Sequence, residues 1–289
     1  MGNQILITGI GGPAGKSALT YFKGKGATIT GTDVREVDLK ADTFHIVPMA
    51  TGPAYQPALL DIIKKERPSL FIPTVTEELS AVARLKGEIE GLGCLVYISP
   101  PEAVDIANDK FRTAEFMKKN GISVPVTFNG KSPRELVIKE LGLPLLAKPN
   151  FGRGGRGVVV YRSAEEVYSE KREGLIFQEF VPGDEFDVNL FIDKGGEPKA
   201  AVALKKTILK EGIVGNALGV ERVKKDDIIE ICKRASRLLG LEGPLDFDIR
   251  LRNNGEPALL EINARLGGNS LFAEEVLDGL MNSWKRRIA

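Results

Sequence analysis

The sequence predicts a mixed chain, an α/β unit with a parallel sheet followed by an α+β unit built on antiparallel hairpins. Three observations carry this reading. The first hundred residues alternate short apolar strands with segments of helical period, the rhythm of βαβ units. From residue 145 onward, strands follow one another through glycine-rich or Asn-Gly joins, with few helices between them. Finally, Leu245–Arg252 alternates strictly, with Leu245, Phe247, Ile249 and Leu251 on one face and Asp246, Asp248, Arg250 and Arg252 on the other.

Taken in order, residues 4–9 form an apolar strand that runs into the turn GIGGPAGKS, a helix ending near Lys25-Gly26 and a second strand, Ala27–Asp33. The turn fails as a P-loop, because residue 10 is isoleucine where that motif needs its first glycine. It fits the dinucleotide fingerprint only in a weaker form, with Gly9, Gly11 and Ala14 in the key places and Asp33 downstream. A tight strand-to-helix turn needs the same glycines, so NAD is disfavoured against a more complete nucleotide site further on. The pattern continues with a helix near 56–66, a strand at Leu70–Pro73, the polar turn 74–78, a helix to about 90 and a strand at Cys94–Ile98. Ligands collect beyond the carboxyl ends of such strands, which makes 74–78 a candidate contact, although a capped helix start explains the same acids.

Composition narrows the function. The 289 residues suffice for two or three compact units, and 40 basic against 39 acidic residues leave no global field for nucleic acid or an anionic membrane. Cys94 and Cys232 lack metal-ligand spacing, which suggests a reduced, cytoplasmic protein. The single histidine, His45, has no nucleophile to serve. No apolar run approaches the roughly 20 residues of a membrane span, and the N-terminus lacks the shape of a signal peptide.

Beyond residue 100, Pro100-Pro101 opens a helix, and Asn108-Asp109-Lys110 precedes another that Gly121 stops. After an extended stretch at Ile122–Phe128 and a helix near 132–141, strands Leu145–Lys148 and Val158–Tyr161 flank a loop. That loop holds Gly152, Gly154, Gly155 and Gly157 with Arg153 and Arg156. Glycines let a backbone close over phosphates, and Lys148 adds charge at the strand end, so phosphate contact is favoured over a plain flexible hairpin. Strand Leu175–Val181 includes Gln178 and Glu179 and can offer backbone groups to an adenine edge, with Glu185 placed for ribose hydroxyls. Strand Val188–Ile192 then leads to Ala200–Lys206, which carries Lys205 and Lys206 toward a loop at 212–219, and a helix at 226–239 follows.

The alternating strand and its neighbour Ala258–Asn263 are joined through Asn254-Gly255, the dipeptide that favours a two-residue type I′ turn. In that register Asp248 lies opposite Glu261, and two like charges so close repel. A divalent cation would offset the repulsion, with Asn263 as a third oxygen ligand on the same face and Arg265 reaching an anion held by the metal. The alternative is a solvated hairpin face with scattered charges.

Together, Lys110, Lys148, the 152–157 glycine loop, Gln178–Val181, Glu185, Asp248, Glu261, Asn263 and Arg265 resemble the ATP-grasp superfamily, in particular its carbamoyl-phosphate-synthetase-like members. GRGGRGV and EINAR are the sharpest of these signals. The resemblance implies a Rossmann-like pre-ATP-grasp domain over residues 1–105, a small lid subdomain over 106–180 and a C-terminal subdomain with the metal site over 181–289. It implies that Lys110, Lys148 and the four loop glycines contact ATP phosphates, and that Glu185 binds ribose. Adenine is implied to rest on Gln178 or the Glu179 carbonyl together with the Val181 amide. Asp248, Glu261 and Asn263 are implied to hold magnesium, with manganese as an alternative ion, and Arg265 and either Lys205 or Lys206 to face the transferred phosphoryl group. Two departures stand out: Lys206 occupies a place where an arginine is usual, and Ala264 replaces the usual proline of EIN-P-R.

The implied activity is an ATP-dependent ligase in which a carboxylate takes the γ-phosphate and an amine or similar nucleophile resolves the acyl phosphate. Competing readings are a subunit of a split carbamoyl-phosphate-synthetase-like enzyme, a non-catalytic nucleotide-binding protein and an NAD-dependent oxidoreductase. The resemblance leaves a homodimer open and does not identify the carboxylate or the nucleophile.

Overall fold

Short apolar strands need cover on both faces, and the N-terminal sheet obtains it from the helices between them. The computed structural model describes residues 3–288 apart from 153, 211–214 and 216. In the first unit, β1 (Gln4–Ile7), α1 (Pro13–Gly24), β2 (Thr28–Asp33), β3 (Thr43–Ile46), α2 (Tyr55–Glu66), β4 (Leu70–Ile72), α3 (Leu79–Gly91) and β5 (Leu95–Val96) build a parallel sheet in the order β3-β2-β1-β4-β5. Helix α1 starts with proline at its first turn, where the missing N–H costs nothing. It stops before Gly26 at φ 80°, a left-handed backbone that glycine adopts without penalty. Strand β3, which carries His45, was not expected. His45 packs at the sheet edge and bonds Glu66 at 2.9 Å, a structural role.

The middle of the chain runs through α4 (Pro101–Ala107), α5 (Lys110–Lys119), β6 (Thr127–Asn129), α6 (Arg134–Leu141), β7 (Leu145–Pro149), β8 (Val159–Tyr161), α7 (Ala164–Ser169) and β9 (Leu175–Glu179). Asp109 caps α5 by accepting the Arg112 N–H at 2.9 Å. The strand expected across 122–128 is confined to β6, because Pro125 has no N–H to pair. Four strands form a second sheet, β6-β9-β7-β8, over a small core of Val137, Leu145, Ala147, Val167 and Phe177.

The last part comprises β10 (Glu185–Ile192), β11 (Pro198–Leu209), β12 (Ala217–Val223), α8 (Asp226–Leu239), β13 (Gly243–Leu251), β14 (Pro257–Asn263) and α9 (Glu274–Ile288). Its sheet is antiparallel in the order β12-β11-β10-β13-β14. Residues 217–219 of the expected 212–219 loop belong to β12, and 212–214 and 216 lie outside the described residues. A 3-10 turn at Ser270–Phe272 precedes α9, which begins at Glu274. Its apolar face, Val276, Leu277, Leu280, Met281 and Trp284, is fully or nearly fully buried.

Two apolar clusters join this sheet to the N-terminal one. Leu6, Phe71 and Val82 pack with Phe186, Val188 and Phe247, while Ile5, Phe22 and Ile29 pack with Phe191, Leu204 and Trp284. The core under the four-stranded sheet shares no residue with either.

Candidate functional site

The hairpin of β13 and β14 differs from expectation at its turn and agrees with it at its carboxylates. The loop has three residues, Asn253–Gly255, closed by Gly255 N–H on Arg252 O and by Arg252 N–H on Glu256 O. Near the turn, Leu251 therefore pairs with Pro257 and Ile249 with Leu259, one place away from the two-residue register. A bulge at Leu260 restores it, and Asp248 faces Glu261 after all. Pro257 is still harmless to the ladder, since Leu259 two residues on turns its N–H outward to Ser123 O.

The register across three strands arranges polar side chains in ranks. Glu185 pairs with Arg250 in the first, Asp187 with Asp248 and Glu261 in the second, and Asn189 with Asp246 and Asn263 in the third. Alternation leaves Phe186, Val188, Phe247, Ile249 and Ile262 for the core on the opposite face. The polar ranks floor a cavity of about 710 Å³, roofed by β7, β9 and the glycine loop and walled at its far end by loops of the N-terminal sheet.

At the first rank, Lys206 Nζ lies 2.6 Å from Glu185 Oε1 and 2.6 Å from Asp248 Oδ1. Arg250 donates Nε to Glu185 Oε2 at 2.6 Å and Nη1 to Val181 O at 3.1 Å. Burial opposes charge on Lys206, but Asp248 and Glu185 hold its ammonium pKa well above the ordinary lysine value. Lys205 instead faces outward, paired with Asp184 at 2.8 Å, and does not line the cavity.

The start of α5 and strand β7 contribute the other cations. Lys110 donates to Gly152 O at 2.7 Å and stands 3.5 Å from Glu261 Oε1. Lys148 is buried in no ion pair among the described residues, and desolvation pulls its pKa down to about 8. Gly152, Gly154 and Gly155 line the cavity, with positive φ at each, and Gly155 packs so closely on Gly215 that an added Cβ would lie 2.4 Å from its Cα. Gly157 does not reach the cavity wall; its carbonyl accepts from Arg172 Nη1 at 2.9 Å. Arg153 lies outside the described residues.

Leu146, Val158, Val181 and Leu260 give the outer end of the cavity an apolar character. Gln178 turns its amide to Thr127 Oγ1 at 2.9 Å, and the Glu179 carboxylate is paired with Arg252 at 3.0 Å. Both residues line the cavity, yet both side chains are engaged elsewhere. Burial would raise the Glu179 carboxyl, but Arg252 and the Val126 N–H outweigh it and hold its pKa low.

At the inner end, Arg265 is fixed on several sides: Nε on Thr76 Oγ1 at 3.2 Å, Nη1 on Leu266 O at 2.6 Å and Nη2 on Asn263 Oδ1 at 3.1 Å. The turn at 74–78 thus holds Arg265, and it also buries Glu78, which accepts from Thr8 Oγ1 at 2.5 Å, Val75 N–H at 3.0 Å and Tyr55. Desolvation raises the Glu78 pKa against those hydrogen bonds. Asp33, the residue a dinucleotide fingerprint reserves for ribose, has both oxygens on backbone: Gly11 N–H at 2.9 Å and Val34 N–H at 2.8 Å.

Oxygen donors at Asp248, Glu261 and Asn263 suit magnesium, which accepts carboxylate and amide oxygens and fills its shell with water or phosphate. Those added ligands are needed, for no group of three His, Cys, Asp or Glu among the described residues is arranged to hold a metal. Sequence reasoning missed Asp187, Asn189 and Asn269. The alternation Glu185-x-Asp187-x-Asn189 was the available signal, but a strand begun at Val188 cuts it.

With this geometry in place, comparisons with known proteins are informative. Residues 107–269 match the family model described as an ATP-grasp domain. The carbamoyl phosphate synthase large chain of Pyrococcus furiosus is 24% identical over 258 residues, covering 82% of this chain and 24% of that protein. The chain spans about a quarter of the length of the curated relatives it matches over most of its own length. An L-amino acid ligase from Bacillus licheniformis superposes with TM-score 0.72 at 16% identity, covering 98% of this chain and 74% of that one. N5-carboxyaminoimidazole ribonucleotide synthetase from Thermotoga maritima gives TM-score 0.71 at 21% identity, covering 96% of this chain and 76% of that one. Among the described residues, no helix is long and apolar enough to cross a membrane.

Proposed function

Because the chain belongs to the ATP-grasp family, we propose that it is an ATP- and magnesium-dependent ligase that joins a carboxylate to an amine or related nucleophile through an acyl phosphate. The observation that carries this reading is one cavity in which Lys110, Lys148, Lys206 and Arg265 converge on the facing Asp248–Glu261 pair. We divide the chain accordingly into a first domain (1–105), a lid (106–180) and a metal-bearing subdomain (181–289).

In this reading adenine lies at the apolar end between Leu146 and Leu260, against the backbone of Glu179 and Val181, and ribose hydroxyls donate to Glu185. Arg250 holds Glu185 and Val181 O together, so the two nucleotide contacts move as one. The 152–157 loop closes over the phosphates, with Lys110 and Lys148 beneath it. Asp248, Glu261 and Asn263 would hold magnesium, which neutralises phosphate charge and orients the terminal phosphoryl group.

A carboxylate oxygen of the first substrate then forms a bond to the γ-phosphorus while the bond to the β–γ bridging oxygen breaks, and ADP leaves with that electron pair. Lys206 and Arg265 face the charge on the phosphoryl oxygens. Arg265 is set in place beforehand by Thr76, Asn263 and the Leu266 carbonyl, so little reorganisation is needed. The nucleophile attacks the acyl carbon, the carbon–oxygen bond to phosphate breaks, and phosphate departs as the amine loses its proton. No side chain forms a covalent intermediate.

The test is release of ADP from MgATP across a panel of carboxylates, each alone and with an amine. Hydroxylamine is added in parallel to trap an acyl phosphate as the hydroxamate. Carboxylate-dependent ADP release with hydroxamate formation is expected. Binding of MgADP with no carboxylate-dependent turnover across a broad panel would favour a non-catalytic nucleotide-binding protein.

A further inference from the structure

We infer that Asp246 of the third rank, with Asn189 behind it and Asp187 of the second rank beside it, forms the pocket for a primary ammonium group on the nucleophile. The inference rests on the ligase reading above and names the chemical class of the second substrate.

Position is the first argument. Strand residues advance about 3.4 Å each, so Asp246 lies about 7 Å past Asp248, on the side away from Glu185. If Glu185 marks ribose and Asp248 the metal, the next rank is where the acceptor of the phosphoryl group and its nucleophile must meet. Asp187, Asp246 and Asn269 all line the cavity there, beside Arg265.

Unmet hydrogen bonding is the second. Asn189 Oδ1 and Asp246 Oδ1 are buried with no N–H donor among the described residues, in residues only 0% and 7% exposed. The orientation of the Asn189 amide is fixed, because its Nδ2 donates to Asp187 Oδ1 at 2.5 Å and its oxygen must face the other way. Asn269 Nδ2 takes the second Asp187 oxygen at 2.6 Å, and Arg265 stands 3.6 Å from Asp246 Oδ2, which leaves Oδ1 open. Gly267 roofs the pair: a Cβ there would lie 2.8 Å from Asn189 Oδ1 and 3.0 Å from Asp246 Cγ.

Donor chemistry is the third. An ammonium group supplies three N–H donors, which suits buried oxygens that have none among the described residues.

The full chain is titrated with methylammonium chloride while its melting temperature is followed, against equal concentrations of tetramethylammonium chloride and potassium chloride. Stabilisation by methylammonium above both controls is expected, since only it carries N–H donors. Asp246→Asn should weaken the apparent Kd for methylammonium at least tenfold, and Gly267→Ala should do so by filling the space while every charge stays. Stabilisation of each variant by MgADP reports that it is folded with its nucleotide end intact. Equal responses to potassium or tetramethylammonium, or a methylammonium response unchanged in both variants, would overturn the pocket. Failure of the wild type to bind MgADP would instead sink the nucleotide reading on which it rests.

Discussion

Lys206 on the large sheet and Lys148 on the lid face the same cavity, each only 8% exposed, and they are held in opposite ways. Lys206 is clamped between Glu185 and Asp248, and its charge is stabilised. Among the described residues Lys148 has no such clamp, and burial brings its pKa down to about 8. One lysine is already serving as a counter-ion to the site's own carboxylates, while the other is kept at a cost that an anionic ligand would relieve. A site that binds a polyanion needs both kinds. Without Lys206 the carboxylates would repel one another, and without an unpaired cation the phosphates would have to break an ion pair for every contact they make.

The largest effect expected is on turnover, at the carboxylate that faces Asp248 across the hairpin and stands 3.5 Å from Lys110. Glu261→Gln should lower magnesium-dependent ADP release at least 100-fold, by loss of a metal ligand. In melting curves without metal it should match or exceed the wild type, because it removes one of two facing like charges. A variant that is markedly destabilised without metal, or that turns over ATP normally, would make Glu261 a structural carboxylate. Asn263→Ala should weaken magnesium dependence without that stabilisation, since it removes an uncharged oxygen and a partner of Arg265.

Exchanging each lysine for methionine separates the two modes directly. Lys206→Met breaks a buried ion-pair network and should cost about 3–5 kcal/mol of stability in denaturant melts. Lys148→Met removes a buried cation with no ion pair among the described residues and should leave stability equal or higher. It should nonetheless raise the MgADP Kd tenfold or more, a charge-assisted contact being worth about 1.5–3 kcal/mol. Equal destabilisation by the two substitutions would erase the distinction.

A pH profile sharpens it further. The folded, nucleotide-free chain holds Lys148 at about 8 against an ordinary 10.5, so between those values it binds fewer protons than the unfolded chain. Stability contributed by this residue therefore rises with pH across that window. Nucleotide affinity runs the other way, because phosphate needs the charged form: the MgADP Kd should climb as pH rises above about 8. Lys148→Arg should abolish that climb, since guanidinium does not titrate there. A profile that is flat in the wild type would show that Lys148 is not the phosphate contact.

What the sequence revealed depended on whether the signal was local. Alternation in Leu245–Arg252 identified the polar face of β13, and Pro100-Pro101 and Asn108-Asp109 marked helix starts, because these effects act within a few residues. The Asp248–Glu261 pairing came out right for a reason only half correct. Asn253-Asn254-Gly255 closes a three-residue loop as readily as Asn254-Gly255 closes a shorter one, and the resulting shift is cancelled by the bulge at Leu260. Nothing in the local pattern announces that bulge. Asp187 and Asn189 were hidden because β10 is buried on both faces, so its polar residues do not look like an exposed edge. The hold of Thr76 on Arg265 spans 189 residues of sequence, and no periodicity encodes a contact of that length.

The smallest effect expected is at Lys205, and its value lies in being small. Lys205 and Lys206 are adjacent, and the sequence alone left both as candidates for the γ-phosphate. Alternation along β11 sends them to opposite faces, Lys206 into the cavity and Lys205 to the surface, where it pairs with an Asp184 that is 54% exposed. An exposed pair of this kind contributes little, since solvent and salt screen it. Lys205→Ala should therefore leave ADP release within twofold of wild type and the melting temperature unchanged within error, in low and high salt alike. Lys206→Ala in the same assays should lose most of both. If Lys205→Ala were the variant that lost turnover, β11 would be presenting its other face to the nucleotide. The three ranks of polar residues would then be a surface feature and not the floor of a site.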